Sequence, residues 1–574
     1  MNELPPLFPR QLPLKRMDRR DWKENKNPAM RLFGKRFFVD QRAMELLVEF
    51  LGVLLTREKW IGRAERPAHR QDWAQKSVLP PLPVLRSWPE NQALCYRLPV
   101  HLNVKLLAFF RRTPPDKQHA VHEQQYIRLR QELKERLGSR DRVGTARADV
   151  LEQLLAGLQG SGAGRLWSAR TFYPLAPALL MQETIFNITK TKSKEKKDGE
   201  LSWEDTIEKL NEYYSVSKHR FLARGGEVLY LQLCNLFRTS PEEFGAWLGR
   251  WQDVLEVRPE EADLEQLHSG LNRYLPELAG GALGRLLQHL VDYIENLDPE
   301  TRQKVAEKVG TLECEYCAAD TWPETYLFAV ELYRLLQADL DPVQRLDMLM
   351  LLCALQVLRT ICAQSARYGG RGERPAPENP LGYTWLFTPG RASPALRLAA
   401  AGHLEVLQTM IYTALRHPAL ESYVQRAVQE LKGGAGAKTL KKEAGKLWKE
   451  ADDKYGYKLL LSLGKQVGII APRTGRGARF VLEERLLRLL VLTVLPPGHS
   501  CTYPEFLQRV YAHYGIALEG VQLREALRFA GRFAGTDFIL PEREWPVAML
   551  RAAGFLVELS DAFSLVKNTF GSTS

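Results

Sequence analysis

The segment 483–495 carries Leu486, Leu487, Leu489, Leu490 and Leu492, so a helix there is apolar on every side. Such a helix has no face to offer water and must be wrapped by other elements. Pro496-Pro-Gly498 stops it. Its neighbours supply the wrapping. Before it, 464–482 holds two apolar or β-branched runs around a turn rich in Gly, Pro and Arg, the pattern of a basic hairpin. After it, Thr502 stands as N-cap of a helix with Pro504, Glu505 and Phe506 in its first turn, running to about 514. Further helices fit 522–533 and 545–553, and 554–567 closes as two short strands around Ser560-Asp561. Helices followed by a terminal hairpin are the order of a winged helix-turn-helix, and the same pattern suits a protein-docking module.

A chain of 574 residues is too long for one core of ordinary size and predicts about three or four domains of roughly 150 residues each. With 45% hydrophobic and 26% charged residues, the composition is that of a globular protein. The apolar run 46–56 is broken by Glu49 and falls short of the ~20 residues a membrane span needs. Pro5, Pro6, Arg10 and Lys15 interrupt what would be a signal peptide, so the expectation is a cytoplasmic protein without membrane contact. Seven cysteines scattered over the chain argue for a reducing compartment rather than a disulfide framework. The net charge of +12 favours a polyanionic partner. The excess is uneven, because residues 1–70 hold 16 Lys and Arg against 9 Asp and Glu.

In chain order, the sequence predicts a mainly α, multi-domain helical protein ending in a winged-helix-like α+β module. A basic arm occupies 1–30, with Lys15, Arg16, Arg19, Arg20, Lys23 and Lys26 close together. An N-terminal helical domain follows at 31–182, in which 31–40 reads as a strand or loop, 41–56 as a core helix and 62–99 as irregular, Pro-rich chain. Helices then fit 103–110, 124–137, 146–158 and 167–182. A basic linker at 183–200 contains the Lys-rich run 190–197. The central helical domain, 201–367, begins with an N-cap at Ser202, and Gly225-Gly226 precedes an apolar helix to Leu236 where two segments can approach closely. Helices fit 241–257, 264–274, 283–297, 299–315, 322–338 and 342–363 without a fixed repeat period. A Gly, Arg and Pro rich linker at 368–393 leads to a helical domain at 394–458, with helices at 394–415 and 419–432 and a basic helix at 438–454. The winged-helix-like domain is 459–574.

Motifs for chemistry are few. Gly433-Gly-Ala-Gly-Ala-Lys-Thr439 has Ala437 where a phosphate loop needs Gly before its Lys, and Gly157-Leu-Gln-Gly-Ser-Gly-Ala-Gly164 ends in Arg165. Cys314-Glu-Tyr-Cys317 is the only close cysteine pair, and a structural zinc site needs a second pair. His119, His122 and Glu123 stand in the wrong order for a metalloprotease helix. Neither a Ser nucleophile elbow nor a paired acidic metal site is visible, so the reading assigns no catalytic residue, metal or cofactor. A nuclease assembled from dispersed acids is the enzymatic alternative. The basic material remains. Arg473, Arg476 and Arg479 lie where a wing tip would meet phosphates, and Lys441, Lys442, Lys446 and Lys449 recur on one helix face as a second, sequence-independent phosphate surface. Gln522, Arg524 and Arg528 could read bases from the 522–533 helix.

Three stretches carry a resemblance: Arg36-Phe-Phe-Val-Asp-Gln, Phe221-Leu-Ala-Arg-Gly-Gly-Glu-Val-Leu-Tyr-Leu, and Met549-Leu-Arg-Ala-Ala-Gly-Phe-Leu-Val-Glu-Leu-Ser-Asp-Ala. Together they resemble accessory proteins encoded beside ATPases in bacterial phage-defence islands. The resemblance implies a bacterial cytoplasmic subunit that works with ATPase, helicase or nuclease partners. None of the three stretches is a catalytic signature. The expectation is a non-catalytic DNA-binding or scaffolding subunit of a defence complex, holding DNA by its phosphate backbone. The alternatives are the nuclease and a protein-interaction scaffold without DNA binding.

Overall fold

The computed structural model describes residues 27–34, 41–62, 73–89, 94–97, 101, 103, 131–135, 149–150, 225–279, 281–308, 312–314, 317–370, 378–431, 434, 436–531, 545–560 and 563–571. The residues 1–26 of the basic arm, the Lys-rich run 190–197, Ser202, and all or most of the helices expected at 103–110, 124–137, 146–158 and 167–182 lie outside them.

The chain begins with α1 (Pro28–Phe33), which replaces part of the strand or loop expected at 31–40. Asn27 Oδ1 accepts the Ala29 N–H at 3.0 Å and Pro28 presets the first turn. α2 (Ala43–Leu55) is buried on nearly all faces. After it come two strands the sequence did not announce, β1 (Glu58–Ile61) and, within the Pro-rich stretch, β2 (Leu94–Arg97), paired antiparallel. α3 (Gly225–Leu236) crosses α2 so closely that a Cβ at Gly226 would lie 2.3 Å from both Leu46 O and Phe50 N. Gly226 is a helix-packing device.

The helices α4 (Pro241–Leu255), α5 (Leu264–Tyr274), α6 (Ala282–Glu295) and α7 (Pro299–Lys308) follow. The segment 312–314, expected to continue the last of them, is instead β3 (Leu312–Cys314), which adds to β2. α8 (Trp322–Gln337) and α9 (Pro342–Tyr368) form the centre. Asp341 caps α9 by accepting from Val343 N and Gln344 N at 2.9 and 3.1 Å. α9 is long and apolar enough to cross a membrane, but 94% of its most apolar window is buried inside the fold, packed by α2, α3, α8 and the next long helix.

The 368–393 stretch is more than a connection. It contains β4 (Trp385–Thr388), buried throughout. α10 (Pro394–Leu415), α11 (Pro418–Leu431) and α12 (Ala437–Glu450) follow, and α12 passes through a π turn, Ala451–Tyr455, into α13 (Tyr457–Gln466). Residues 464–466, expected in the hairpin, end this helix. The hairpin itself is β5 (Ile470–Ala471) with β6 (Arg479–Val481), antiparallel with Ile470 opposite Phe480. α14 (Glu484–Val494) carries the Leu-rich run with eight of its residues buried, but it is not apolar on every side as expected: Glu484 is exposed and Arg485 and Arg488 are partly exposed, with Arg485 paired to Asp347 at 2.7 Å. Then come β7 (Ser500–Thr502), α15 (Tyr503–Tyr514), β8 (Ile516–Ala517), α16 (Gly520–Ala530), α17 (Trp545–Ala552), β9 (Leu556–Ser560) and β10 (Phe563–Lys567). Thr502 and Glu505 exchange bonds as a capping box, Glu505 N to Thr502 Oγ1 at 3.4 Å and Thr502 N to the Glu505 carboxylate at 2.8 Å.

The described chain is mainly helical with three small sheets, ordered β1-β2-β3, β7-β10-β9 and β5-β6-β4-β8. β4 pairs parallel with both β6 and β8. One continuous apolar core runs from α1 and α2 through α8, α9 and α14 to β10, so the central helices and the C-terminal elements are packed as neighbours.

Candidate nucleic-acid interface

β4 sorts its side chains by the two-residue period of a strand. Trp385 and Phe387 point to the main core, where both stack on Phe480 at 5.5 and 5.2 Å between ring centroids. Leu386 points the other way, into a second cluster with Leu396, Ala399 and Ala400 of α10, Ala517, and Leu523, Ala526 and Leu527 of α16. α10 and α16 therefore form an outer layer over the four-stranded sheet. The sides of these helices turned away from the cluster carry Arg397 and the 65% exposed Leu398 on α10, and Arg524, Arg528 and the 60% exposed Val521 on α16.

Arg479 lies on the same outer side. Its Nε donates to Thr388 Oγ1 at 3.2 Å and its Nη2 to Gly390 O at 3.0 Å. Partial burial, and after it the charge of Arg397, act against its cation and push its pKa down. Arg397 lies close enough for its charge to act on Arg479, and Arg391 follows Gly390, whose carbonyl Arg479 holds, so Arg397 and Arg479 meet at one corner with Arg391 next to it in the chain. Arg473 and Arg476 stand exposed on the turn of the same hairpin, where Gly475 and Gly477 take φ of +94° and +81°. Among the described residues, no carboxylate pairs with Arg391, Arg397, Arg473, Arg476 or Arg479. Like charges brought together without an acid repel one another, and an anion removes that cost. The arginine hairpin belongs to the four-stranded sheet and the terminal hairpin to the β7-β10-β9 sheet, so the two do not form one wing.

α12 displays the second basic surface. Lys441, Lys442, Lys446 and Lys449 are all exposed, while Leu440, Ala444, Leu447 and Trp448 pack on Tyr423, Val424 and Val428 of α11. Lys446 is tied to Glu443 at 2.6 Å. The other three lysines make no ion pair among the described residues. Lys15, Arg16, Arg19 and Arg20 lie outside the described residues.

Two buried polar clusters were not anticipated. At the joint between α8, α9, α14 and α15, Arg334 forms an ion pair with Glu261 at 2.7 Å and donates to the carbonyls of Thr493 and Val494 at 3.2 and 2.7 Å. Burial alone would raise the Glu261 carboxyl, but the bonds and charge of Arg334, with Arg258 behind it, hold it at about 2. Nearby, Glu331 accepts from Arg359 at 2.6 Å and from His513 Nδ1 at 3.0 Å. Burial pushes the His513 imidazole below its ordinary range against the pull of Glu331. The Arg359 guanidinium lies 4.6 Å from the Tyr514 ring centroid. These groups fasten helices to one another. Arg and Glu set inside otherwise apolar helices were the signal that could have found them.

The second cluster faces α3 from the β1-β2-β3 sheet. Lys59 donates to Leu54 O at 2.6 Å and Val78 O at 2.9 Å beside Cys234 and Cys314, and burial brings its ammonium down to about 7. Cys317 is pushed up to about 12 by burial. Among the described residues, no group of three or more His, Cys, Asp and Glu could hold a metal ion. Cys353 and Cys362 are buried in the core, as their place on an apolar helix predicts. No family model matches the chain, and no curated protein or solved structure matches it either.

Proposed function

We propose that this protein is a non-catalytic subunit that holds nucleic acid by its phosphate backbone, in a bacterial cytoplasmic anti-phage complex with an ATPase, helicase or nuclease partner. The observation that carries the nucleic-acid part is the corner of Arg391, Arg397 and Arg479, extended by Arg473 and Arg476, in which arginines from two distant segments meet without a carboxylate. A guanidinium matches a phosphate by charge and by its planar fork. The lysine face of α12 adds phosphate contacts without sequence preference. The order α14, β7, α15, β8, α16, α17, β9, β10, with sheet order β7-β10-β9, supports reading the C-terminal part as winged-helix-like. The defence role and the partner rest on the resemblance of the three short stretches alone.

The test is binding of duplex DNA by the purified chain at ~50 and ~200 mM salt, the range over which phosphate contacts show themselves. The expected result is steep loss of affinity with salt, and a flatter dependence when Arg391, Arg397, Arg473 and Arg476 are replaced together by Ala. No binding at low salt would transfer the reading to a protein-interaction scaffold. Cleavage of plasmid DNA in magnesium would transfer it to a nuclease.

A further inference from the structure

We infer that α16 reads base edges in the major groove of duplex DNA, so that the protein selects sequence as well as holding phosphate. The inference rests on the nucleic-acid reading above and gives its substrate as duplex.

α16 follows α15 across five residues, 515–519, which open with Gly515 in the left-handed region at φ +69° and include the two-residue strand β8. Two consecutive helices joined by a few residues, with the second exposed, form the arrangement that places a helix in a groove. The side of α16 that carries Leu523, Ala526 and Leu527 is committed to α10 and β4. The free side carries Val521, Arg524 and Arg528 at positions i, i+3 and i+7, which share one face of a helix. Arg524 and Arg528 have no ion-pair partner among the described residues. The helix's own acid, Glu525, accepts the Glu378 N–H and is half-buried; the charge of Arg528 acts on it, but it forms no ion pair with either arginine among the described residues.

The chemistry of this face separates it from a phosphate surface. Arginine pairs in fork geometry with the O6 and N7 acceptors of guanine, and an apolar tip such as Val521 meets the thymine methyl group. Val521, 60% exposed, lies between these cations and the helix start. An α-helix with its side chains is about 10–12 Å across, which fits a groove about 12 Å wide. The arginine corner at Arg391, Arg397 and Arg479 belongs to the neighbouring helix and strands of the same layer, where a backbone contact is expected beside a base-reading helix.

The experiment is selection by the full chain from a pool of duplexes with a randomised centre, followed by salt titration of the bound and unbound pools. The wild type is expected to enrich a short motif. Replacing Arg524 and Arg528 by Ala is expected to abolish the enrichment while bulk affinity changes less than about tenfold, because base contacts set specificity and phosphate contacts set affinity. R524K with R528K keeps the charge and removes the fork, and is expected to keep the salt dependence yet lose the motif. The variant lacking Arg391, Arg397, Arg473 and Arg476 is expected to weaken all sequences alike and still enrich the same motif. Binding by the wild type without enrichment overturns the inference and leaves the phosphate-holding reading standing. Enrichment of the same motif by the Arg524 and Arg528 variants also overturns it. Absence of any binding to the pool at low salt overturns both.

Discussion

Arg334 and Arg359 in the interior and Arg391, Arg397, Arg473 and Arg476 on the outer layer are the same side chain in opposite situations. Each interior guanidinium has a carboxylate, Glu261 or Glu331, and backbone carbonyls as well. The outer ones have no carboxylate partner among the described residues. The difference teaches how to sort cations in a chain with a +12 charge. A buried cation with an acid is part of the scaffold, because leaving it unpaired would cost several kcal/mol. An exposed cluster without acids adds little to the fold and is available to a partner. Net charge alone does not make this distinction.

The largest effect that sharpens the comparison is at the interior joint. Arg334→Met leaves Glu261 with Arg258 alone and strips donors from Thr493 O and Val494 O, and a loss of about 3–5 kcal/mol in urea unfolding is expected. An unchanged midpoint would make the two arginine groups equivalent. Next is the acid limb of stability. The Glu261 carboxyl has an ordinary pKa of 4.5 and a folded value of about 2, so its contribution is fully present above pH 4.5 and is lost as pH falls through 2. The contribution is about 3 kcal/mol. Unfolding followed from pH 6 to pH 2 should show this decline in the wild type and a shallower one in Glu261→Gln, which starts less stable. Smaller in energy is the outer cluster. Ala at Arg391, Arg397, Arg473 and Arg476 should weaken duplex binding by about tenfold or more at ~200 mM salt while thermal stability stays within about 0.5 kcal/mol. A matching drop in melting temperature would place these arginines with the interior ones. The smallest change belongs to α12, where Ala at Lys441, Lys442 and Lys449 should reduce affinity about two- to threefold and lower the salt dependence by less than the outer arginines do.

The helical elements were readable because their signals are local. Ser240, Asp341 and Ser393 each cap a helix that begins with Pro, and the side chain and the proline act within one turn of chain. Thr502 and Glu505 are legible for the same reason. β4 was not, because a four-residue strand between a Gly-rich stretch and a helix has the composition of a linker. Its partners at 479–481 and 516–517 are invisible to any short window. That omission hid the candidate site, since Arg397 and the Gly390 carbonyl come to Arg479 only once β4 joins β6. The hairpin arginines were seen from their turn, but Arg479 is half committed to Thr388 and Gly390, which the turn pattern does not reveal. β1, β2 and β3 escaped in the same way, each being three or four residues long and paired across the chain.

The central position of β4 has a consequence for synthesis. A ribosome that has delivered the chain as far as α12 has released Trp385, Leu386 and Phe387 without either strand that covers them. The next stretch brings β6, and only the one after that brings β8 and the α16 lid over Leu386. During that interval the nascent protein carries an unpaired, aromatic-rich strand, the kind of surface that chaperones bind and that seeds aggregation when elongation stalls. Pausing before codon 479 should therefore lower soluble yield more than pausing after codon 530, although both leave the finished sequence unchanged.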